Sequence, residues 1–174
     1  MNESIKTLLT RRSIRKYKAE QIKEDELKQI LDAGMYAPTG MGKQPVTIAV
    51  IQDAALVAKL SAMNAKILGK DVDPFYGAPT VLIVFADTEK SANAWSDGCL
   101  VMGNLMNGAA AVGVGSCWIN RAKEEFQSPE GVELLKAWGL PEHLVGVGHC
   151  ILGYADCPNP EPAPRKADFV KFIK

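Results

Sequence analysis

The sequence predicts a layered domain of the α/β or α+β class, built around one sheet of about four strands. Three observations support this prediction. Segments with helical spacing alternate with segments of strand character, the 174 residues match the usual length of one domain, and 47% of the residues are hydrophobic. Because we find neither an internal repeat nor a second domain, we expect residues 1–174 to form a single domain.

Most of the helices are predicted from apolar residues that recur every three or four positions. Pro38 ends the second helix, and Ser128-Pro129 is a typical helix start because a capping hydroxyl precedes a proline at the first helical position. The predicted segments are 3–10, 24–36, 53–63 and the stretch from Ser128 to Gly139.

Residues 96–112 form a fifth predicted helix that is apolar most of the way round. Such a helix lies in a large core or in a subunit interface. We expect this helix to lie in a subunit interface, because a monomer of this size offers too little buried surface to cover it. The sequence therefore predicts a homodimer. The alternative is a helix at the centre of the protomer's own core.

The strands are predicted from apolar and β-branched runs, which are 46–51, 80–86, 113–119 and 144–154. Residues 80–86 (TVLIVFA) are apolar throughout, which indicates a strand covered on both faces. Residues 64–78 are irregular, and we expect a mobile connection that is partly helical. Four prolines in residues 157–164 predict an extended C-terminal arm that begins at about residue 157.

Charge and hydropathy exclude several classes of protein. Twenty basic and twenty acidic residues give a formal net charge of zero, which argues against a nucleic-acid binder and against a membrane-surface protein. No apolar run approaches the roughly 20 residues of a membrane span. The first residues lack the order of a secretory signal, so we expect a cytoplasmic protein.

The cysteines and histidines do not predict a metal site. None of the four cysteines has CxxC spacing, and only two histidines accompany them. Cys117 and Cys150 lie in apolar runs, which favours buried small hydrophobes. His149 is interpreted as a core histidine rather than a catalytic base.

Three features carry the candidate chemistry. The first is the run from Arg11 to Lys16 (RRSIRK), where four cations and a hydroxyl suit a phosphate or another small dianion, although a solvated basic turn is the alternative. The second is the loop 38–45, which holds two glycines between prolines. The third is Arg165-Lys166 behind the proline-rich arm. A phosphate-binding site without a strong candidate for a catalytic side chain indicates a bound organic cofactor that carries out the chemistry.

With these features in this order, the chain resembles the small, single-domain FMN-dependent nitroreductases. The motifs that carry the resemblance are Arg11–Arg15 (RRSIR), Ala37–Gly40 with Gln44-Pro45, Gly113–Ile119 (GVGSCWI), and Gly153-Tyr154 with Pro164–Lys166. They span nearly the whole chain.

The resemblance implies a nitroreductase-like α+β fold. Its central, mostly antiparallel sheet of four to five strands is flanked by helices, and an intertwined homodimer binds two FMN molecules at the subunit interface. It implies an enzyme that takes electrons from NADH or NADPH and reduces nitroaromatics, quinones or similar small-molecule acceptors in a ping-pong flavin cycle. The chain has Gly42 where the family often has Asn. A flavin-binding sensor or flavin-handling protein with little turnover is therefore the alternative.

The resemblance also implies which residues bind FMN. The basic run holds the phosphate and the ribityl chain, the proline–glycine loop borders the flavin, and the backbone after the third predicted strand lies near its reactive nitrogen. The implied residues are Arg11, Arg12, Ser13 and Arg15 from the run, Pro38, Thr39, Gly40 and Gln44 from the loop, Ile119 and Asn120 after the strand, and Arg165 and Lys166 from the arm. No catalytic residue and no metal ligand is assigned.

Overall fold

The computed structural model describes residues 1–173 and shows an α+β fold around a four-stranded sheet. The helices are α1 (Glu3–Thr10), α2 (Glu24–Met35), α3 (Ala54–Leu68), α4 (Ala94–Ala111), α5 (Ala122–Gln127) and α6 (Pro129–Ala137). The strands are β1 (Val46–Ile51), β2 (Thr80–Ala86), β3 (Gly115–Ile119) and β4 (Val145–Gly153).

The strands lie in the order β1-β2-β4-β3, and every neighbouring pair is antiparallel. β1 and β3 are therefore the edge strands, whereas all seven residues of β2 are buried. This arrangement confirms the predicted antiparallel sheet of four to five strands. It also confirms that the run TVLIVFA is covered on both faces.

Helices cover both faces of the sheet, because alternate residues of β2 enter two different cores. Ile83 and Phe85 pack with α3, α5 and α6 on one face, and Leu82 and Val84 pack with α2 and α4 on the other. Within the protomer α4 lies against its own core, and Met102 and Leu105 are fully buried there. The homodimer predicted from this helix stays a prediction.

Two elements differ from the sequence-based expectation. α3 continues to Leu68, beyond its predicted end at residue 63, which agrees with the expectation that residues 64–78 are partly helical, whereas Phe75 in the remainder is buried in the core. α5 was not predicted, because its six residues (AKEEFQ) are too few to show a helical period. Beyond Cys157 the described part of the arm forms neither helix nor strand and is exposed.

None of the helices within residues 1–173 combines the length and the apolar character needed to cross a membrane.

Ser128 joins α5 to α6 through two hydrogen bonds. Its hydroxyl donates to the Glu125 carbonyl at 2.6 Å and accepts from the Gly131 N–H at 3.1 Å. We expect Ser128→Ala to lower the free energy of unfolding by about 1 kcal/mol, because α6 loses its N-cap. Urea unfolding measures the change, and Ser128→Thr, which keeps the hydroxyl, is the matched control. An alanine variant as stable as the wild type would contradict the capping role.

Candidate functional site

The basic run is an extended segment that lies along the free edge of β3. The Ile14 N–H donates to the Ser116 carbonyl at 3.0 Å, and Ser13 forms a parallel bridge to the same residue. The Tyr17 hydroxyl donates to the Ile14 carbonyl at 2.7 Å. Burial raises the pKa of Tyr17, so the phenol stays protonated and keeps this bond. The sheet edge therefore fixes the register of the whole segment.

An extended segment points successive side chains to opposite sides. On one side Ile14 is buried, and the two neighbouring cations are occupied by the protein itself. Arg12 donates to the carbonyls of Leu9, Arg11 and Pro160 at 2.7–3.1 Å. Lys16 lies 2.8 Å from a carboxylate oxygen of Asp156, and this hydrogen-bonded pair raises the pKa of the lysine and lowers that of the aspartate.

Arg11, Ser13 and Arg15 keep donors that the protomer does not use, and we call these alternate residues of the segment the basic row. Within residues 1–173 neither arginine forms an ion pair, and the Ser13 hydroxyl makes no hydrogen bond. Nη1 of Arg11 is buried and has no hydrogen-bond partner among these residues. An unpaired buried charge is costly, so an anion bound at this row would remove a cost that the free protomer carries.

Arg15 also lines a cavity of about 370 Å³ at the end of β3. Ile119 and Asn120 lie in the same wall, so three of the predicted residues come together here. Lys70 and Arg121 add two more cations, and Asp73 is the one carboxylate residue in the lining. The cavity is therefore electropositive.

The carboxylate of Asp73 is hydrogen-bonded to neutral donors of the chain. Its carboxylate accepts hydrogen bonds from the Ser61 hydroxyl at 2.5 Å, the Phe75 N–H at 2.8 Å and the Gly77 N–H at 2.6 Å. These bonds fold the turn after α3, and within residues 1–173 no salt bridge joins Asp73 to a cation of the cavity.

A buried polar network holds the turn that follows β3. The Asn64 amide donates to the Asn120 carbonyl at 2.9 Å and to Glu125 Oε2 at 3.1 Å, and its oxygen accepts from Arg121 Nε at 2.9 Å. His149 Nε2 lies 3.3 Å from Glu125 Oε2. Asn64, Glu125 and His149 are fully buried, which confirms the predicted core position of His149, but neither of its ring nitrogens has a hydrogen-bond partner within residues 1–173.

Sequence reasoning missed the other members of this network. Glu125 looks like a surface residue of a charged segment, and Asn64 falls in a stretch taken as a connection. Only the fold brings Asn64 to a turn that lies 56 residues further along the chain.

The loop 38–45 is folded tightly against the start of α4. The Gly40 N–H donates to both carboxylate oxygens of Asp97, at 3.1 and 3.2 Å, and Asp97 is only 4% exposed. Met41 and Gln44 have φ angles of 54° and 48°, in the left-handed region that non-glycine residues rarely occupy. The Gln44 N–H donates to the Thr39 hydroxyl at 3.2 Å. No pattern in the sequence had pointed to the contact of Asp97 with this loop.

The protomer does not bring all the predicted residues together. The loop leads into β1, whereas Arg11, Ser13 and Arg15 lie beyond β3, so that β2, β4 and β3 separate β1 from the basic run. Among residues 1–173 the hydrogen bonds of Arg165 go only to the Ala163 carbonyl, and Lys166 lies 3.9 Å from Asp168. The arm reaches Arg12 through the Pro160 carbonyl.

The arrangement supplies binding and electrostatics, and we assign no nucleophile or metal centre to it. Within residues 1–173 no three His, Cys, Asp or Glu residues are grouped as metal ligands. The cysteines are all free thiols, and burial raises the pKa of Cys150 to about 12, which keeps that thiol protonated.

Comparison with known proteins agrees with this architecture. The family model of the Nitroreductase family matches residues 8–154. An Archaeoglobus fulgidus protein, described as a candidate NADH dehydrogenase/NAD(P)H nitroreductase, is 32% identical over 158 residues, which cover 88% of this chain and 86% of the relative. An FMN reductase [NAD(P)H] of Bacillus subtilis is 33% identical over 189 aligned positions, covering 96% and 69%. The crystal structure of a nitroreductase with bound FMN from Bacteroides fragilis NCTC 9343 superposes over all of both chains with a TM-score of 0.90 and 28% identity. The chain therefore belongs to the nitroreductase family.

Proposed function

We propose that this chain is an FMN-dependent oxidoreductase that uses NADH or NADPH to reduce nitroaromatics, quinones or similar small acceptors, and that it works as a homodimer. The whole of residues 1–174 would form one FMN-binding domain with its C-terminal arm. The activities described for the two relatives and the FMN bound in the Bacteroides fragilis structure support the proposal.

The observation that carries the proposal is the row of Arg11, Ser13 and Arg15. These three residues alternate along a segment held by a sheet edge, and Nη1 of Arg11 is buried without a hydrogen-bond partner among residues 1–173. Guanidinium groups bind phosphate oxygens with two parallel hydrogen bonds, so the row suits a phosphate ester. Arg12 and Lys16, which the protein has already paired, are poorer candidates.

The cavity at the end of β3 fits the rest of the cofactor. Arg11 and Ser13 would bind the phosphate and the ribityl chain, while Arg15 and the backbone of Ile119 and Asn120 would face the flavin ring. FMN, when bound, accepts a hydride from the nicotinamide donor and passes electrons to the acceptor. The cations and the backbone N–H groups of this chain stabilise the negative charge that electron uptake brings to the cavity.

Two features of the protomer support the homodimer. The loop 38–45 and the basic row lie at opposite edges of the sheet, so the loop would border a flavin held by the other copy. In addition, Ile5, Leu8 and Leu9 of α1 are 49–58% exposed and present an apolar face that the protomer leaves uncovered. We propose that a second copy covers this face and that Arg165 and Lys166 reach a phosphate in the assembled dimer.

The first prediction concerns the cofactor and its reduction. We expect the purified protein to be yellow, to release FMN on denaturation, and to lose its flavin absorption band rapidly when it is mixed with NADH or NADPH in a stopped-flow instrument. A colourless protein that takes up no added FMN would contradict the proposal. Tight FMN binding with no bleaching by either donor would favour the flavin-handling alternative.

The second prediction concerns the basic row. We expect Arg11→Ala to weaken FMN binding by about 2 kcal/mol or more, because it removes a charge-assisted phosphate contact. Lys16→Ala is the matched control, since it removes the same charge from the opposite side of the same segment and should leave the dissociation constant unchanged. Fluorescence titration of the apoprotein with FMN measures both, and equal effects of the two substitutions would refute the assignment.

The third prediction concerns the sharing of the site between two copies. Arg11→Ala and Gln44→Ala should each reduce the FMN content of their own homodimers. When the two variants are co-expressed with different tags, each mixed dimer should regain one complete site, because one copy still supplies Arg11 and the other still supplies Gln44. The FMN content of the isolated mixed dimers measures this recovery. No recovery would show that Arg11 and Gln44 of the same copy contribute to one FMN site.

A further inference from the structure

Arg121 occupies an unusual backbone position beside the cavity. Its φ angle of 79° lies in the left-handed region, which a non-glycine residue adopts only at a cost of about 1–3 kcal/mol. Glycine would adopt this conformation without strain. The presence of arginine at a position that suits glycine therefore indicates that its side chain has a use.

The side chain is held at one end and free at the other. Its Nε donates to the oxygen of Asn64 at 2.9 Å, and the Asn64 amide group is fixed in this orientation by its bonds to Asn120 and Glu125. The terminal nitrogens of Arg121 make no hydrogen bond and no ion pair with any of residues 1–173. A rigid guanidinium with a free edge is well prepared to bind an oxyanion.

The surroundings of Arg121 favour an anion as well. The residue lines the 370 Å³ cavity with Arg15 and Lys70, and it also lines an adjoining cavity of about 330 Å³ with Trp95 and Trp118. The first cavity sets three cations against the carboxylate of Asp73, and the adjoining cavity adds Lys123 and Glu124, so the lining keeps an excess of positive charge. The two indoles add aromatic surface for a planar ring. An aromatic molecule that carries a carboxylate or phosphate group meets both requirements.

We propose that Arg121 is a specificity residue that binds an oxyanion of the substrate, so that the protein prefers anionic substrates over neutral ones of the same shape. This rests on the proposed function, in which the cavity borders the flavin. The oxyanion belongs either to an aromatic electron acceptor or to the phosphates of the nicotinamide donor.

The test uses Arg121→Gly in the FMN-loaded protein. Glycine keeps the left-handed backbone and removes the whole side chain, including the Nε–H that donates to Asn64. Arg121→Lys keeps the charge but not the planar pair of donors, and Lys123→Ala removes a neighbouring cation that lines only the adjoining cavity. The probes are 4-nitrobenzoate against the neutral 4-nitrobenzamide, and NADH against 1-benzyl-1,4-dihydronicotinamide, which has no phosphate.

We expect the wild type to prefer one anionic probe over its neutral partner, and Arg121→Gly to lower that preference tenfold or more in kcat/KM. Arg121→Lys should fall between the two, and Lys123→Ala should keep the wild-type preference. Loss confined to the benzoate pair assigns the oxyanion to the acceptor, and loss confined to the NADH pair assigns it to the donor. Equal loss on charged and neutral probes, an unchanged preference, or a loss of FMN affinity instead would overturn the proposal.

A binding measurement separates this proposal from the proposed function. Nitroaromatic probes quench tryptophan fluorescence, so dissociation constants of 4-nitrobenzoate and 4-nitrobenzamide are obtained without turnover. A protein that shows an Arg121-dependent preference for the benzoate but is not reduced by NADH or NADPH would support the anion site and refute the oxidoreductase. A reducible protein whose two dissociation constants are equal, and whose donor preference does not depend on Arg121, would refute the anion site alone.

Discussion

The pairing of the N-terminal segment with the open edge of β3 determines which cations of this chain are free to bind a ligand. An edge strand leaves N–H and C=O groups unpaired, and here the bond from the Ile14 N–H to the Ser116 carbonyl uses one of them. A shift of one residue would exchange the two sides of the segment. Arg12 and Lys16 would then face the ligand, and Arg11 and Arg15 would turn toward Pro160 and Asp156.

The cavity depends in a similar way on polar groups buried behind it. Burying a polar group without a partner costs about 1–3 kcal/mol, and the network of Asn64, Glu125 and His149 places several such groups in one core. Most of its hydrogen bonds converge on the turn at Asn120 and Arg121. Backbone strain occurs at Arg121 and again at Met41 and Gln44, so it is found on both of the segments that the proposed flavin would contact.

The strands of the sheet and the position of the basic run could be predicted from the sequence, because both are indicated by contiguous residues. The run TVLIVFA predicts a fully covered strand from its own residues, and RRSIR is recognised as a contiguous motif. The free and paired cations of that motif cannot be told apart without the register, which is set by a strand about 100 residues away. The sequence did not indicate the roles of Asp97, Glu125 and Asn64 for the same reason. Each contributes to holding a turn that is far away along the chain or that no sequence pattern marks.

Two features support a homodimer: the positions of the loop 38–45 and the basic row, and the exposed apolar face of α1. They are linked where α1 runs into the basic row. α1 ends at Thr10, and the basic row begins at the next residue. Any surface that covers Ile5, Leu8 and Leu9 must therefore approach Arg11 as well, and it brings its own groups within reach of a ligand held there. Covering the apolar face also removes water from around the row, which strengthens every charge-assisted hydrogen bond in it. In the proposed homodimer, assembly and affinity for the cofactor would be coupled in this way, because the contact that buries α1 would also lower the dielectric constant at the proposed phosphate site.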